Sequence, residues 1–150
     1  MNKEERIAVP FTIILPEKTT VGATGSKALV ELRDNKRILG IRCPDCNRTY
    51  MPPRLSCPIC FRKMDEWVEL SGKGSLLTYS IVYYSESYHP TPPPIIYGII
   101  QLDGADTGLP HILAEVDLEE LKIGMRVEAV FKEERKGSIL DIRYFRPSKR

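Results

Sequence analysis

The sequence predicts a mainly β chain in which a small metal-bound module precedes a larger β domain, and three observations predict it. All four cysteines fall in two C-x-x-C pairs, Cys43-Pro44-Asp45-Cys46 and Cys57-Pro58-Ile59-Cys60. Five runs rich in β-branched and aromatic residues follow, divided by turns that carry glycine or proline. Hydrophobic residues make up 42% of the chain, enough for a buried core and too many for a disordered chain. No apolar run approaches the ~20 residues that a membrane-spanning helix needs.

Residues 1–36 read as an N-terminal arm and a short helix. Ile7, Val9, Phe11, Ile13 and Leu15 alternate with other residues at strand period, while Pro10 and Pro16 favour an edge strand or extended arm. Ser26 is the expected cap of a helix through about Arg33, with Ala28, Leu29 and Leu32 on one face. So short a helix needs tertiary packing to persist. Residues 37–66 form the metal module, entered by a strand over 37–42.

Residues 67–150 form the larger domain. Ser71-Gly72-Lys73-Gly74 is a turn. The five expected strands are Ser75–Tyr84, Ile95–Leu102, His111–Val116, Met125–Glu133 and Ser138–Phe145. A proline-rich loop, His89 to Pro94, separates the first two, and Asp117 is the expected cap of one helical turn between the third and fourth. Pro147 and the residues after it read as frayed. Five strands with a short helical link between the third and fourth fit a five-stranded Greek-key barrel of the OB type; another five- or six-stranded sheet has the same strand count.

Two residues between cysteines let both sulfurs reach one ion, and two such knuckles complete a tetrahedral four-thiolate shell. Cys43, Cys46, Cys57 and Cys60 are therefore the expected metal ligands. Zinc suits this set, with no position left open for catalysis, so its expected role is structural; iron in a rubredoxin-like site uses the same ligands. Paired disulfides would need an oxidising compartment, and with no recognisable targeting segment the expected location is cytoplasmic. Asn47 suits the left-handed turn that follows a knuckle, and Phe61 suits it less.

Charge is unevenly spread. The net +2 of the chain divides into +6 over residues 33–63, −9 over 64–134 and +5 over 135–150, with 1–32 neutral. The metal module and the tail are thus the basic parts; the field of the module attracts phosphate, and Arg54, stiffened by Pro52-Pro53, is a candidate anion clamp. No catalytic constellation stands out. Of the two histidines, His111 opens a strand and reads as structural, whereas His89 sits in the proline loop and reads equally as structure or as binding. Tyr79, Tyr83 and Tyr84 read as sheet packing before base stacking.

Residues 37–146 together resemble a known family. Gly40-Ile41-Arg42, Tyr50-Met51-Pro52-Pro53-Arg54, Trp67 to Gly74, Tyr88-His89-Pro90, Tyr97-Gly98 and Leu121 to Val127 carry the resemblance. It is to the OB-fold acyl-CoA-associated proteins with an N-terminal rubredoxin-like zinc ribbon, long catalogued as a domain of unknown function. The resemblance implies a ribbon docked beside an OB barrel, acting in lipid metabolism as a non-catalytic accessory subunit of a thiolase-fold or related acyl-CoA enzyme. It implies a hetero-oligomer that cradles a CoA thioester, with Arg54, Lys73, Tyr88, His89 and Tyr97 lining the space between ribbon and barrel. Two other readings stand beside it. A nucleic-acid-binding zinc-ribbon/OB protein is opposed by the acidic barrel segment. An independent thioester enzyme is opposed by a metal site with no open position.

Overall fold

The computed structural model of the chain describes residues 20–84, 86–87 and 89–148. The alternating residues 7–15 lie outside them. The chain opens with helix α1 (Gly22–Asn35), followed by β1 (Ile38–Cys43), β2 (Arg48–Tyr50) and β3 (Glu66–Leu70). These three strands form one antiparallel sheet in the order β2-β1-β3. Next come β4 (Lys73–Val82), β5 (Ile95–Leu102), β6 (Gly108–Leu113), β7 (Arg126–Phe131), a 3-10 turn over Ile139–Asp141 and β8 (Ile142–Pro147). The last five strands close a barrel in the order β4-β5-β6-β8-β7, with β7 returning to β4. Its one parallel pairing joins β6 and β8 at Leu113 and Phe145. This is the expected mainly β architecture, a ribbon followed by a closed five-stranded Greek-key barrel.

Closure depends on β4, which pairs with β5 along most of its length and with β7 at its start. Gly74 sits where both partners meet, and a Cβ there would lie 2.3 Å from the carbonyl oxygen of Gln101. Only glycine lets the two backbones approach so closely. The barrel is filled by Leu76, Ile100, Leu102, Val127, Ile142 and Phe145, and Leu32, Ile38, Met51 and Leu70 from the helix and ribbon join the same cluster. Helix, ribbon and barrel therefore share one core. A second, smaller cluster lies inside the ribbon: Ile41, Cys43, Tyr50, Cys57 and Met64.

Several local expectations change. Ser26 lies inside α1 rather than capping it; the cap is Val21, which makes no side-chain cap bond. Tertiary contacts fix this helix instead: Leu29 and Leu32 pack on the shared core, and Lys27 Nζ lies 4.5 Å from the centre of the Trp67 ring. Residues 66–70 form a ribbon strand, pairing with β1 from Ile38↔Leu70 to Arg42↔Glu66. The segment after Asp117 makes a single turn, closed by the Glu120 N–H on the Asp117 carbonyl at 3.0 Å, not a helix. Ser138 starts no strand; it caps the 3-10 turn in a reciprocal capping box with Asp141. Pro147 pairs with Val127 at the end of β8.

Candidate functional site

Strand β1 delivers Cys43 at its last residue, and the chain turns through Cys46 into β2. The second knuckle lies in a hairpin held by the Met64 N–H on the Leu55 carbonyl and the Phe61 N–H on the Cys57 carbonyl, each at 2.9 Å. Both knuckles end on a residue in the left-handed region, Asn47 at φ 53° and Phe61 at φ 61°. Phe61 thus adopts the turn to which its side chain is ill suited. Arg62 bridges to Asp45 at 2.7 Å and ties one knuckle to the other.

The four sulfur atoms lie within 4.8 Å of one another, with Cys43–Cys60 at 3.5 Å and Cys46–Cys57 at 3.8 Å. Metal–sulfur bonds of about 2.3 Å in a tetrahedron require sulfur–sulfur edges of about 3.8 Å, so the residues present fit one tetrahedral ion. Cys43 and Cys57 are buried and Cys60 is exposed. The Tyr50 hydroxyl stands 3.4 Å from the Cys57 sulfur. Burial pushes the Cys57 thiol up, but the Tyr50 hydroxyl and the N–H groups of Cys60 and Ile59 outweigh it and bring it down to about 6. That bond to Cys57 and burial push Tyr50 up to about 12. Cys57 thus favours its thiolate, whereas the neighbouring Cys60 sulfur and burial push the Cys46 thiol up to about 12, and the Cys60 thiol is raised as well.

The ribbon is joined to the barrel by a reciprocal set of hydrogen bonds. The Thr49 N–H donates to the Asp106 carboxylate at 2.8 Å, and the Asp106 N–H returns to the Thr49 carbonyl at 2.8 Å. The Met51 N–H donates to the Thr107 hydroxyl, which donates back to the Met51 carbonyl, both at 2.8 Å. Asp106 and Thr107 belong to the turn between β5 and β6, so a barrel hairpin clamps the end of β2.

Beside this junction opens an apolar groove of about 440 Å³. Leu29 and Leu32 of α1 form one wall, Met51 and Pro52 another, and Leu109 and Pro110 of β6 the floor on the barrel side. Arg37, the charged side chain of the lining, is engaged by Glu69 at 2.8 Å and Glu31 at 3.4 Å. Pro110 also borders a shallower hollow of about 280 Å³ on the barrel wall, lined by Tyr79 and Tyr97.

The residues expected to line the ribbon–barrel space are dispersed. Arg54 is exposed and directly follows Pro53 of the groove wall. Its side chain makes no hydrogen bond or ion pair among the described residues. Tyr97 lies in the adjoining hollow. Lys73 begins β4, whereas Tyr97 stands opposite Ser80 near the other end of that strand. Seven residues of strand put the two about 23 Å apart, so they do not face one ligand group. His89 is in the loop after β4, its ring 5.5 Å from that of Tyr84 and its Nδ1 accepting from the Glu86 N–H. Tyr88 lies outside the described residues. Tyr79 is half-buried against the core, while Tyr83 and Tyr84 are exposed. His111 is buried, with Nδ1 accepting from the Ile112 N–H at 2.9 Å, and burial lowers its pKa. The clamp residues Thr49, Asp106 and Thr107 escaped the sequence reading. Their one sequence signal is a side-chain oxygen on each of two turn residues, Asp106 and Thr107.

Comparison with known proteins fits this geometry. Residues 31–65 match the ChsH2 rubredoxin-like zinc ribbon domain, and residues 67–132 match the ChsH2 C-terminal OB-fold domain. A DUF35 domain-containing scaffold protein of Methanocaldococcus jannaschii is 34% identical over 102 residues, 67% of this chain and 72% of that protein. This chain belongs to the DUF35 family. A DUF35 scaffold protein of Pyrococcus furiosus is 34% identical over 119 residues, 77% of this chain and 86% of the relative. Among solved structures, the Ltp2-ChsH2(DUF35) aldolase superposes with a TM-score of 0.62 at 24% identity, over 89% of this chain and 98% of that one. A DUF35 protein of unknown function from Sulfolobus solfataricus gives 0.59 at 23% identity, over 73% and 78%. Both share the DUF35 fold. Among the described residues, no helix is long and apolar enough to cross a membrane.

Proposed function

We propose that this DUF35 protein is a non-catalytic scaffold subunit that holds a CoA thioester for a thiolase-fold or related acyl-CoA enzyme, with zinc as a structural ion in its ribbon. The observation that carries the reading is the apolar groove at the ribbon–barrel junction with the uncommitted Arg54 beside its wall. CoA thioesters combine an apolar, flexible arm with a phosphorylated nucleotide. A groove walled by leucine, methionine and proline suits the first, and a guanidinium suits the second. The relatives' description as scaffold proteins, and the occurrence of one such fold in an aldolase, support a role beside an enzyme. Four thiolates around one ion leave no position for substrate, which supports placing the chemistry in the partner.

Calorimetric titration of the purified chain with acetyl-CoA tests this directly. Arg54→Ala is expected to weaken binding about 10- to 100-fold, the loss of one charge-assisted phosphate contact. Leu29→Trp, which fills the groove, is expected to abolish it. Gentle purification of the tagged chain from its own cells is expected to recover an acyl-CoA enzyme. Thioester turnover by the chain alone, or steeply salt-dependent binding of a single-stranded oligonucleotide with no response to acetyl-CoA, would overturn the proposal.

A further inference from the structure

The second metal knuckle carries more exposed apolar surface than its fold requires. Leu55, Ile59 and Phe61, within seven residues, are 58%, 56% and 80% exposed. Phe61 is the extreme case, because it also holds a left-handed backbone that glycine adopts without strain. Neither packing nor turn geometry explains a large aromatic there. Cations flank this tip along the chain. Residues 48–63 hold four, Arg48, Arg54, Arg62 and Lys63, and no acid. Arg62 is engaged by Asp45, but the side chains of Arg48 and Lys63 make no hydrogen bond or ion pair among the described residues. Four thiolates on a divalent ion leave two negative charges, so the stretch stays net positive with the metal bound.

An aromatic anchor on a metal-stiffened turn, with uncommitted cations in the same stretch of chain, has the make-up of a protein-binding hot spot. We infer that this knuckle is where the scaffold seats on its enzyme subunit: Phe61, with Ile59 and Leu55, enters an apolar cleft of that subunit, and carboxylates on the cleft's rim meet Arg48 and Lys63. The inference rests on the scaffold reading above but uses a different surface from the groove. The basic sign of the tip argues against a second copy seated tip to tip, because a two-fold contact would bring like charges together.

The test uses the full-length chain and the acyl-CoA enzyme that the wild-type chain recovers. Phe61→Gly is expected to keep its metal content, its thermal midpoint and its acetyl-CoA affinity, while its affinity for the enzyme falls at least about 30-fold. Ile59→Ser, which leaves the left-handed residue untouched, is expected to weaken the same association and guards against a folding defect in the first variant. In cells, Phe61→p-benzoylphenylalanine is expected to photocrosslink to that enzyme through a peptide rich in aspartate or glutamate, and Leu140→p-benzoylphenylalanine is not. Wild-type affinity in both variants, or no adduct at position 61 while the enzyme still co-purifies, overturns the knuckle assignment and leaves the scaffold reading intact. Self-association lost in Phe61→Gly would also overturn it, in favour of a second copy. Recovery of no acyl-CoA enzyme by the wild-type chain would sink both.

Discussion

Removal of the Thr107 hydroxyl probes what joins ribbon to barrel. This one oxygen accepts the Met51 N–H and donates to the Met51 carbonyl, both at 2.8 Å, and Met51 is buried. Thr107→Val keeps the side-chain shape and strands one donor and one acceptor. A buried group left without a partner costs about 1–3 kcal/mol; with Thr107 only half-buried, water recovers part of this, and the expected loss is about 2–4 kcal/mol for the pair. For a chain of this length, about 2–4 °C of thermal midpoint accompanies each kcal/mol, so a drop of about 5–15 °C is expected by circular dichroism. Hydrogen exchange supplies the local readout: the Met51 amide loses protection first, because its acceptor is gone. Thr107→Ser retains the hydroxyl and is the control. A Thr107→Val midpoint within about 2 °C of wild type, with Met51 still protected, would refute the clamp as a source of stability.

Two further outcomes follow from the same geometry. Elemental analysis is expected to find one zinc ion per chain, and its removal by chelation, or Cys57→Ser, to release hydrogen-exchange protection across residues 38–66 while the barrel strands keep theirs; a ribbon that stays protected without metal would contradict a structural ion. Asp141 is buried, and although burial pushes its carboxyl up, the N–H groups of Lys136, Ser138 and Gly137 more than compensate and hold it below the usual carboxylate value. A lowered folded pKa contributes stability that is complete above the unfolded value of about 3.9 and is lost as pH falls through the folded one. Asp141→Asn is expected to cost about 1.5–3 kcal/mol near neutral pH and to flatten the acid limb of the midpoint–pH curve, and an unchanged acid limb would show that another group dominates.

The parts legible in the sequence are those written in local pattern. Strand β5 is legible to the residue, because an apolar run lies between a proline loop and an Asp-Gly turn. The metal ligands are legible because two-residue spacing leaves thiolates few alternatives. Strand β3 escaped because Glu66–Leu70 is short and its pairing with β1 depends on a distant partner. Helix α1 begins four residues before Ser26, where the cap residue Val21 offers no polar side chain and the Gly22 N–H turns to the Thr20 hydroxyl at 3.2 Å; its end is tied down by Arg135, which donates to the Arg33 carbonyl at 2.7 Å from the far end of the chain. The clamp was invisible for the same reason. Its bonds join residues 56 and 57 positions apart, and no single-sequence pattern couples Thr49 to Asp106.

The clamp also bears on why a metal ribbon is built onto this barrel at all. The ribbon has its own buried cluster around Cys43 and Cys57, and an ion could stabilise it while it swung on a linker. Instead Leu32, Ile38, Met51 and Leu70 are committed to the barrel's core, and four hydrogen bonds fix the end of β2 to a barrel turn. A swinging ribbon would lose orientational freedom each time a ligand or partner touched both parts. A ribbon fixed during folding incurs that loss beforehand, so more of each contact appears as affinity. The groove needs the same rigidity, since its walls come from α1, the ribbon and β6 together, and no one of them encloses it. Loosening the clamp is therefore expected to weaken groove and knuckle at once, although Thr107 lines neither.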